Sequence, residues 1–344
     1  MAGFDVDAIH GLDEPFDAIA SATEARAVSV VIVSYKTGPL LLRAIESVIA
    51  QPETGEIVLV DNGNPPALIE QARLYSEPDR PVRVLSGHGN IGFAAACNLG
   101  ARAARGPDLL FLNPDAVLPD GAISKFQTVA ASASKRPVLI GPRLVGPDGG
   151  EQAGSRRRAL TPGAALIEAS GVWRLAPKKL GDRRFNIHGD PCPEKTSSIH
   201  TISGACMYVS REDYFSIGGM DERYFLHVED IDFCLRLREA GGVVLFEPSV
   251  NVTHFKSSSR VSAVRVEARK SQSFTTYFWR HFADKSVKTS LALALVTAAI
   301  WGVFGLRALA AAGRRAKLIA GFAARTRGAG LARATRLMVH RLAR

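Results

Sequence analysis

The 344-residue sequence has only four cysteines (Cys97, Cys192, Cys206, Cys234), far apart and with no C-x-x-C pair. Such spacing excludes a cysteine zinc site and a disulfide framework. It predicts reduced thiols, buried at Cys97 and Cys234, which fall in apolar helical patterns. No internal repeat, low-complexity tract or G-x-x-x-x-G-K-[ST] loop occurs. The opening MAGFDVDAIHGLDEPFDAIA lacks a basic region followed by an apolar run, so no signal peptide is expected. Acid is missing from one place: between Lys285 and Arg344 there are 12 Lys and Arg and no Asp or Glu. Residues 1 to 284 therefore hold 31 basic and 33 acidic side chains, and the basicity of the chain belongs to its tail. A nucleic-acid-binding body loses its support, and no nucleic-acid partner is expected.

What is present divides into three. Residues 1–26 are acidic and without sustained period, as expected of a flexible leader. Residues 27–284 form the body, and 285–344 a helical tail. In the body, VSVVIVSY (28–35) is a continuous β-branched run, the mark of a strand buried on both faces. EIVLVDNGN, PVRVLS and DLLFLNPDAVL repeat the signal, with helical stretches between them. This alternation predicts an α/β fold, a mostly parallel central sheet flanked by helices. Ligands of such sheets bind beyond the carboxyl ends of the strands, where Asp61, Asn62, Asn113 and Asp115 fall. Residues 142–200 are rich in Pro, Gly and basic residues and predict long loops with one helix near 162–174. The tail opens on 18 uncharged residues (289–306) and continues as a basic, apolar helical pattern. That combination predicts a helix lying on an anionic membrane surface, with a spanning helix as the alternative.

Several residue groups can carry chemistry. Asn113 and Asp115 flank Pro114 in a turn and can both reach a divalent ion, or simply close an Asx turn. Asp61 can accept hydrogen bonds from a nucleotide or end a turn. Gly89, Gly92 and Gly100 surround a helix start that favours anions, although the spacing of these three fits no dinucleotide fingerprint. In YFLHVEDIDFCLRLREAGG, Glu229, Asp230 and Asp232 occupy the first turn of a helix. Capping and the helix dipole account for one or two acids there. A third beside aromatics and His227 suggests a general base for an incoming hydroxyl. His254 ends an extended run.

In this order, VSVVIVSYK, VLVDNGN, GNIGFAAACNLG, LLFLNPDAVL, SGACMYVSRE, GGMDERYFLHVEDIDFCLRLREAGG and VTHFKSSS resemble the family 2 inverting glycosyltransferases of the GT-A fold, in their bacterial rhamnosyltransferase-like branch. The resemblance covers Val28 to Ser259. It implies a nucleotide-sugar donor in the sheet crevice, with Ser34, Tyr35, Asp61, Asn90, Asn98 and Asn113 as donor-binding residues. The Asn-Pro-Asp turn matches the family's Asp-x-Asp, departing from it at Asn113. Asp115 and His254 are then ligands of Mg²⁺ or Mn²⁺, and Asp230 the catalytic base, with Glu229 placing acceptor or metal. The implied acceptor is a polyprenyl-diphosphate-linked sugar or glycan at the cytoplasmic face of the inner membrane, reached peripherally. Arg156, Arg157 and Arg158 are candidates for its diphosphate or a solvated face. The expected reaction is rhamnosyl transfer from a dTDP-sugar in envelope polysaccharide synthesis. UDP-galactofuranose or UDP-N-acetylglucosamine as donor, or a silent nucleotide-sugar-binding protein, are the alternatives.

Overall fold

In the computed structural model, residues 28–175, 179, 183–256, 262–310, 312 and 313 are described. The acidic leader and the tail beyond 313 lie outside them. The central sheet has the order β3-β2-β1-β4-β10-β6-β11-β5, with β8 on the flank of β11. The strands are β1 (Val28–Ser34), β2 (Thr54–Asp61), β3 (Val82–Leu85), β4 (Asp108–Leu112), β5 (Ala116–Val117), β6 (Val138–Val145), β8 (Ser197–Ser198), β10 (Cys206–Ser210) and β11 (Val243–His254). β7 (Arg156–Arg157) and β9 (Thr201–Ile202) form a separate antiparallel pair.

β1 is buried along its whole length because its two faces enter different cores. Val28, Val30 and Ile32 pack into one apolar cluster, Val31 and Val33 into the other. This is the two-residue period of a strand covered on both sides. The first cluster is roofed by α1 (Leu40–Ile49), α2 (Pro66–Arg73) and α4 (Ala122–Ser132), the second by α3 (Phe93–Ala103), α6 (Arg211–Ser216) and α7 (Glu229–Glu239). Cys97 and Cys234 lie in the second as free thiols.

The strands β3-β2-β1-β4 are parallel, as the alternation predicts. The other half of the sheet is mixed: β10 runs antiparallel to both β4 and β6, while β11 returns parallel to β6. Cys206 sits opposite Leu112, so β10 begins where β4 ends. β11 breaks register between Glu247 and Asn251. Pro248 has no N–H for the ladder, and Glu247 closes the break by accepting from the Ser249 amide (3.0 Å) and hydroxyl (2.6 Å). Beyond it the strand continues to His254, opposite Ala116 of β5.

The 142–200 stretch holds β7, α5 (Pro162–Ser170), a 3₁₀ turn at Val172–Arg174 and β8. A third apolar cluster joins α5, the segment before α7, α8 (Ala263–Phe282) and the helix Val287–Ala310, here α9. On α9, Leu293, Thr297, Ile300, Phe304 and Ala308 are buried at intervals of three and four residues, one helical face. Leu291, Leu295, Leu306 and Leu309 are each more than 60% exposed on the rest of the helix. The start of the tail is therefore docked on the body.

α3 approaches β1 and β2 closely at Gly100, where a Cβ would run into Val31 Cγ1 and lie 3.1 Å from Val60 Cγ2. Gly100→Ala should overpack this seam and destabilise the fold by about 1–3 kcal/mol. A melting temperature equal to the parent's would show that α3 can withdraw.

Candidate functional site

The parallel strands deliver their ends at one level, with Ser34 opposite Asp61. Asp61 Oδ1 accepts from the Gly63 amide (3.0 Å), the Asn64 amide (2.8 Å) and Asn64 Nδ2 (2.7 Å). The Asx turn foreseen as an alternative at Asp61 is thus present, and its carboxylate is fixed at the crevice edge. Gly63, at φ +127°, lets the chain pass beneath Tyr35, whose Cε2 would stand 3.3 Å from a Cβ there. Ser34 is fully buried; its hydroxyl donates to Asn64 Oδ1 (3.1 Å) and lies 3.2 Å from the Thr37 hydroxyl, which can donate to it. It supports the turn from behind and offers nothing to the crevice. Asn64, which sequence patterning does not single out, is the hub of this turn.

The loop before α3 reads Gly87-His88-Gly89-Asn90-Ile91-Gly92, so with Gly87 included the G-x-G-x-x-G spacing is in fact present after a strand and before a helix. Its last glycine serves another contact here. At Gly92, φ +91°, a Cβ would lie 2.7 Å from the Phe225 carbonyl oxygen. The Phe93 amide donates to that oxygen (2.9 Å), and the Gly92 amide to Asn90 Oδ1 (3.1 Å). The Gly92 and Phe93 amides are thus taken by protein groups and are not offered to a phosphate. Asn98 does not join the crevice. Its amide donates to the Met220 carbonyl (2.8 Å) and Glu222 Oε1 (2.9 Å) and accepts from the Met220 amide (2.9 Å) and Tyr214 hydroxyl (2.5 Å). All four hydrogen-bonding sites of the side chain are used, and it lines a separate pocket with Arg102, Arg223 and Arg236.

The ends of β4 and β11 bring Asn113, Asp115 and His254 together. His254 Nε2 lies 3.2 Å from Asp115 Oδ1 and 3.3 Å from Asn113 Nδ2. Gln152 Nε2 donates to the His254 carbonyl (2.5 Å), which turns its Oε1 to His254 Nδ1 (3.1 Å). An amide oxygen only accepts, so this orientation puts a proton on Nδ1 and leaves Nε2 as the nitrogen that faces Asp115. One carboxylate, one imidazole nitrogen and the Asn113 amide oxygen, once turned, fit a hard divalent cation that keeps its other positions for water or phosphate. Among the described residues, no three His, Cys, Asp or Glu side chains gather into a fuller metal site.

The third group sits at the start of α7. His227 (φ +67°) and Val228 (φ +74°) are both left-handed, and Val228 is the helix N-cap without a side-chain cap bond. A β-branched residue in this region is a strained outlier, held only where its surroundings over-determine it. The strained corner sets Glu229, Asp230 and Asp232 into three different environments, all less than a tenth exposed. Asp232 binds Arg236 Nε (2.6 Å), His281 Nε2 (2.7 Å) and the Tyr224 hydroxyl (3.2 Å), tying α7 to α8. Asp230 Oδ2 accepts from the Gly204 amide (2.8 Å) and Arg157 Nη2 (2.5 Å), and Oδ1 from the Ile231 amide (2.8 Å). Gly204 admits this approach, for a Cβ there would lie 3.2 Å from Asp230 Cβ. Among the described residues, Glu229 Oε2 is buried without a hydrogen-bond partner. Burial, then the charge of Asp230, push its carboxyl well above the usual range.

The arginine triple is not the surface its composition suggests. Arg156 is buried against Glu151 (2.7 and 3.2 Å) and the Asp190 and Pro191 carbonyls. Arg158 pairs with Asp190 (3.0 Å). Only Arg157 reaches the site, through Asp230. The two chemical groups meet at one turn, because the Gly204 amide holds Asp230 while the Ala205 carbonyl accepts the Asn113 amide (2.8 Å). Gln152 carries no motif of its own, and although Gly204 and Asn64 lie within ordered motifs and Arg157 within the arginine triple, the Arg157 and Gly204 contacts to Asp230, across 73 and 26 positions, leave no local signal.

The model of the glycosyl transferase family 2 domain matches residues 29–212. An N-acetylglucosaminyl-diphospho-decaprenol L-rhamnosyltransferase of Mycobacterium tuberculosis is 30% identical over 243 residues, 67% of this chain and 76% of that protein. Rhamnosyltransferase WbbL of Escherichia coli is 24% identical over 231 residues, 66% of this chain and 83% of its own. Among solved structures, a mannosyltransferase of Pyrobaculum calidifontis in complex with GDP-Man and Mn²⁺ aligns with a TM-score of 0.51 at 17% identity, covering 91% of this chain and 84% of that one. At that identity the likeness speaks for the fold.

His227 provides a test of the strained corner. Its Nε2 is buried without a partner among the described residues, and burial, followed by the nearby Lys270 charge, holds its pKa down at about 4. The unfolded chain protonates His227 near its ordinary value of about 6.5. The stability that depends on its neutral form is therefore complete above pH 6.5 and is lost as the pH falls from there to about 4. His227→Asn should flatten the fall of melting temperature across that window; an unchanged slope would place the loss elsewhere.

Proposed function

This chain belongs to glycosyl transferase family 2 and is a glycosyltransferase, and on that premise we propose that it transfers rhamnose from a dTDP-sugar to a polyprenyl-diphosphate-linked acceptor by inverting displacement, with Asp230 as general base. The observation that carries this reading is the Gly204–Ala205 turn, which fixes Asp230 on one side and Asn113 on the other. A base and a diphosphate-binding group held one residue apart suit an in-line reaction. The acceptor hydroxyl loses its proton to Asp230 as its oxygen bonds to the anomeric carbon, and the bond to the nucleoside diphosphate breaks on the opposite face. Asp230 Oδ1, which accepts only the Ile231 amide, has a lone pair for that proton. A protonated Glu229 has an O–H to offer an acceptor oxygen. Asp61 and Tyr35 edge the donor crevice. Asp115, His254 and Asn113 would hold Mg²⁺ or Mn²⁺, whose charge offsets that developing on the leaving diphosphate. The sugar and lipid follow the rhamnosyl and decaprenol named for the mycobacterial relative.

The second part of the proposal is peripheral attachment to the cytoplasmic face of the inner membrane through α9. The helix is long and apolar enough to cross a bilayer, yet one face packs on the body, which suits lying in the interface. Arg307 donates to the Ala169 carbonyl (2.7 Å) and so brings Leu306 and Leu309 beside the α5 turn. There Val172 and Leu175 are exposed as well. Lys285, Lys288 and Arg307, without an acid after residue 284, complement anionic headgroups.

Asp230→Asn should lower kcat/KM by roughly 10²–10⁴-fold with the fold intact; full turnover would end the assignment of the base. Gln152→Ala should weaken Mn²⁺ binding by about 10–100-fold, measured by titration of the protein without donor, whereas unchanged affinity would separate His254 from the metal. Leu306→Asp with Leu309→Asp should release the protein from phosphatidylglycerol vesicles in cosedimentation, and retention would move the attachment off this face.

A further inference from the structure

Glu229 and Asp230 are adjacent carboxyls, both nearly inaccessible to water. Two negative charges so placed repel strongly where little solvent screens them, and such a pair shares its protons. The hydrogen bonds around the two are unequal. Asp230 receives three donors, from Arg157, Gly204 and Ile231, while Glu229 Oε2 has none. The other titratable groups close to the doublet do not supply a compensating charge. His227 is held neutral by burial, and burial pushes the Cys234 thiol on α7 up to about 12. Lys270 of α8 acts on His227, and Lys256 beyond β11 lies in the field of Arg157.

Arg157 differs from its neighbour Arg156 in a telling way. Arg156 spreads its guanidinium over Glu151 and two carbonyls, a saturated structural tie. Arg157 directs Nη2 to Asp230 and to the Ile202 carbonyl, rests near the Phe185 ring (5.5 Å to its centre) and leaves a buried Nε without a partner among the described residues. Its backbone is fixed by the β7–β9 pairing, Arg157 opposite Thr201, so the guanidinium is delivered by a second sheet that the donor crevice does not include.

We infer that Arg157 is a positioning residue that assigns the single negative charge of the Glu229–Asp230 doublet to Asp230. The inference rests on the reading of Asp230 as the base. Its physical content is a choice between neighbours: without the guanidinium, either carboxyl can hold the charge, and in the fraction of molecules where Glu229 holds it the base is protonated and silent. The Gly204 and Ile231 amides orient Asp230 in either case, since neither moves with Arg157.

The test is the pH profile of kcat/KM. In Arg157→Met the acid limb should move to higher pH by about one unit or more, the scale expected for losing an opposite charge within hydrogen-bonding distance. Arg157→Lys, which keeps a positive charge, should restore most of the shift. In the double variant Arg157→Met with Glu229→Gln, the competing carboxyl is gone, so the limb should return toward the parent's position. A purely structural arginine would give no such return. A folded Arg157→Met with an unmoved limb, or a double variant displaced as far as the single one, overturns the inference. Should Arg157→Met not fold, Glu229→Gln alone decides. It removes a group that already carries its proton and should leave the limb in place whatever it does to kcat; a displaced limb refutes the assignment. If Asp230→Asn retains full turnover, the base itself is wrong. If that variant is inactive and the limb still does not respond to Arg157, only the present inference falls.

Discussion

The arrangement of the site depends on one strand running against its neighbours. β10 enters between β4 and β6 antiparallel to both, so its amino end lies level with the carboxyl end of β4. The turn that precedes it, Ser203 to Cys206, is thereby set among the polar ends of the parallel strands. Had β10 been parallel, its amino end would lie at the opposite edge of the sheet, and the amide that holds Asp230 could not share a turn with the carbonyl that holds Asn113. The short β7–β9 pair belongs to the same arrangement. It places Arg157 against Asp230 and seats Ile202 on the sheet, where Gly141 leaves room for it.

Three acids in one helical turn have three fates, decided by the partners each one meets. Asp232 has Arg236, His281 and Tyr224, and is structural. Asp230 has amides and a guanidinium. Glu229 Oε2 has no hydrogen-bond partner among the described residues, and burial pushes its carboxyl up. The helix dipole acts on all three alike and so cannot distinguish them. The strained His227–Val228 corner makes the separation possible, because it turns the chain into α7 without a capping side chain competing for the first amides.

Much of the parallel half of the sheet was legible in the sequence. β1, β2 and β4 are buried on both faces and carry apolar runs (residues 30–33, 57–60 and 109–112), and the polar residues after those runs stand out by contrast. The Asn113, Asp115 and His254 group and the Glu229–Asp230 doublet were also visible, through ordered motifs. Direction and depth were not. Nothing local to CMYVS says that it runs antiparallel, and three consecutive arginines look solvated until partners from distant positions bury them. Asn98 shows the limit well. A polar residue on an Ala-rich helix near a glycine loop looks like a ligand contact, but its four hydrogen bonds go to residues more than 110 positions away.

The same antiparallel insertion has a consequence during synthesis. The parallel unit β1 to β4 is contiguous in sequence and can assemble through local crossovers as soon as it leaves the ribosome. The strand that finally covers β4 on its outer side is encoded nearly a hundred residues later, after β6, α5 and the β7–β9 pair. At about 5–20 residues per second, β4 presents an open edge, apolar over residues 109–112, for on the order of 5–20 s. An uncovered edge of that kind is a template for pairing with another chain. The loop-rich segment between the halves thus sets the interval in which the nascent protein most needs protection.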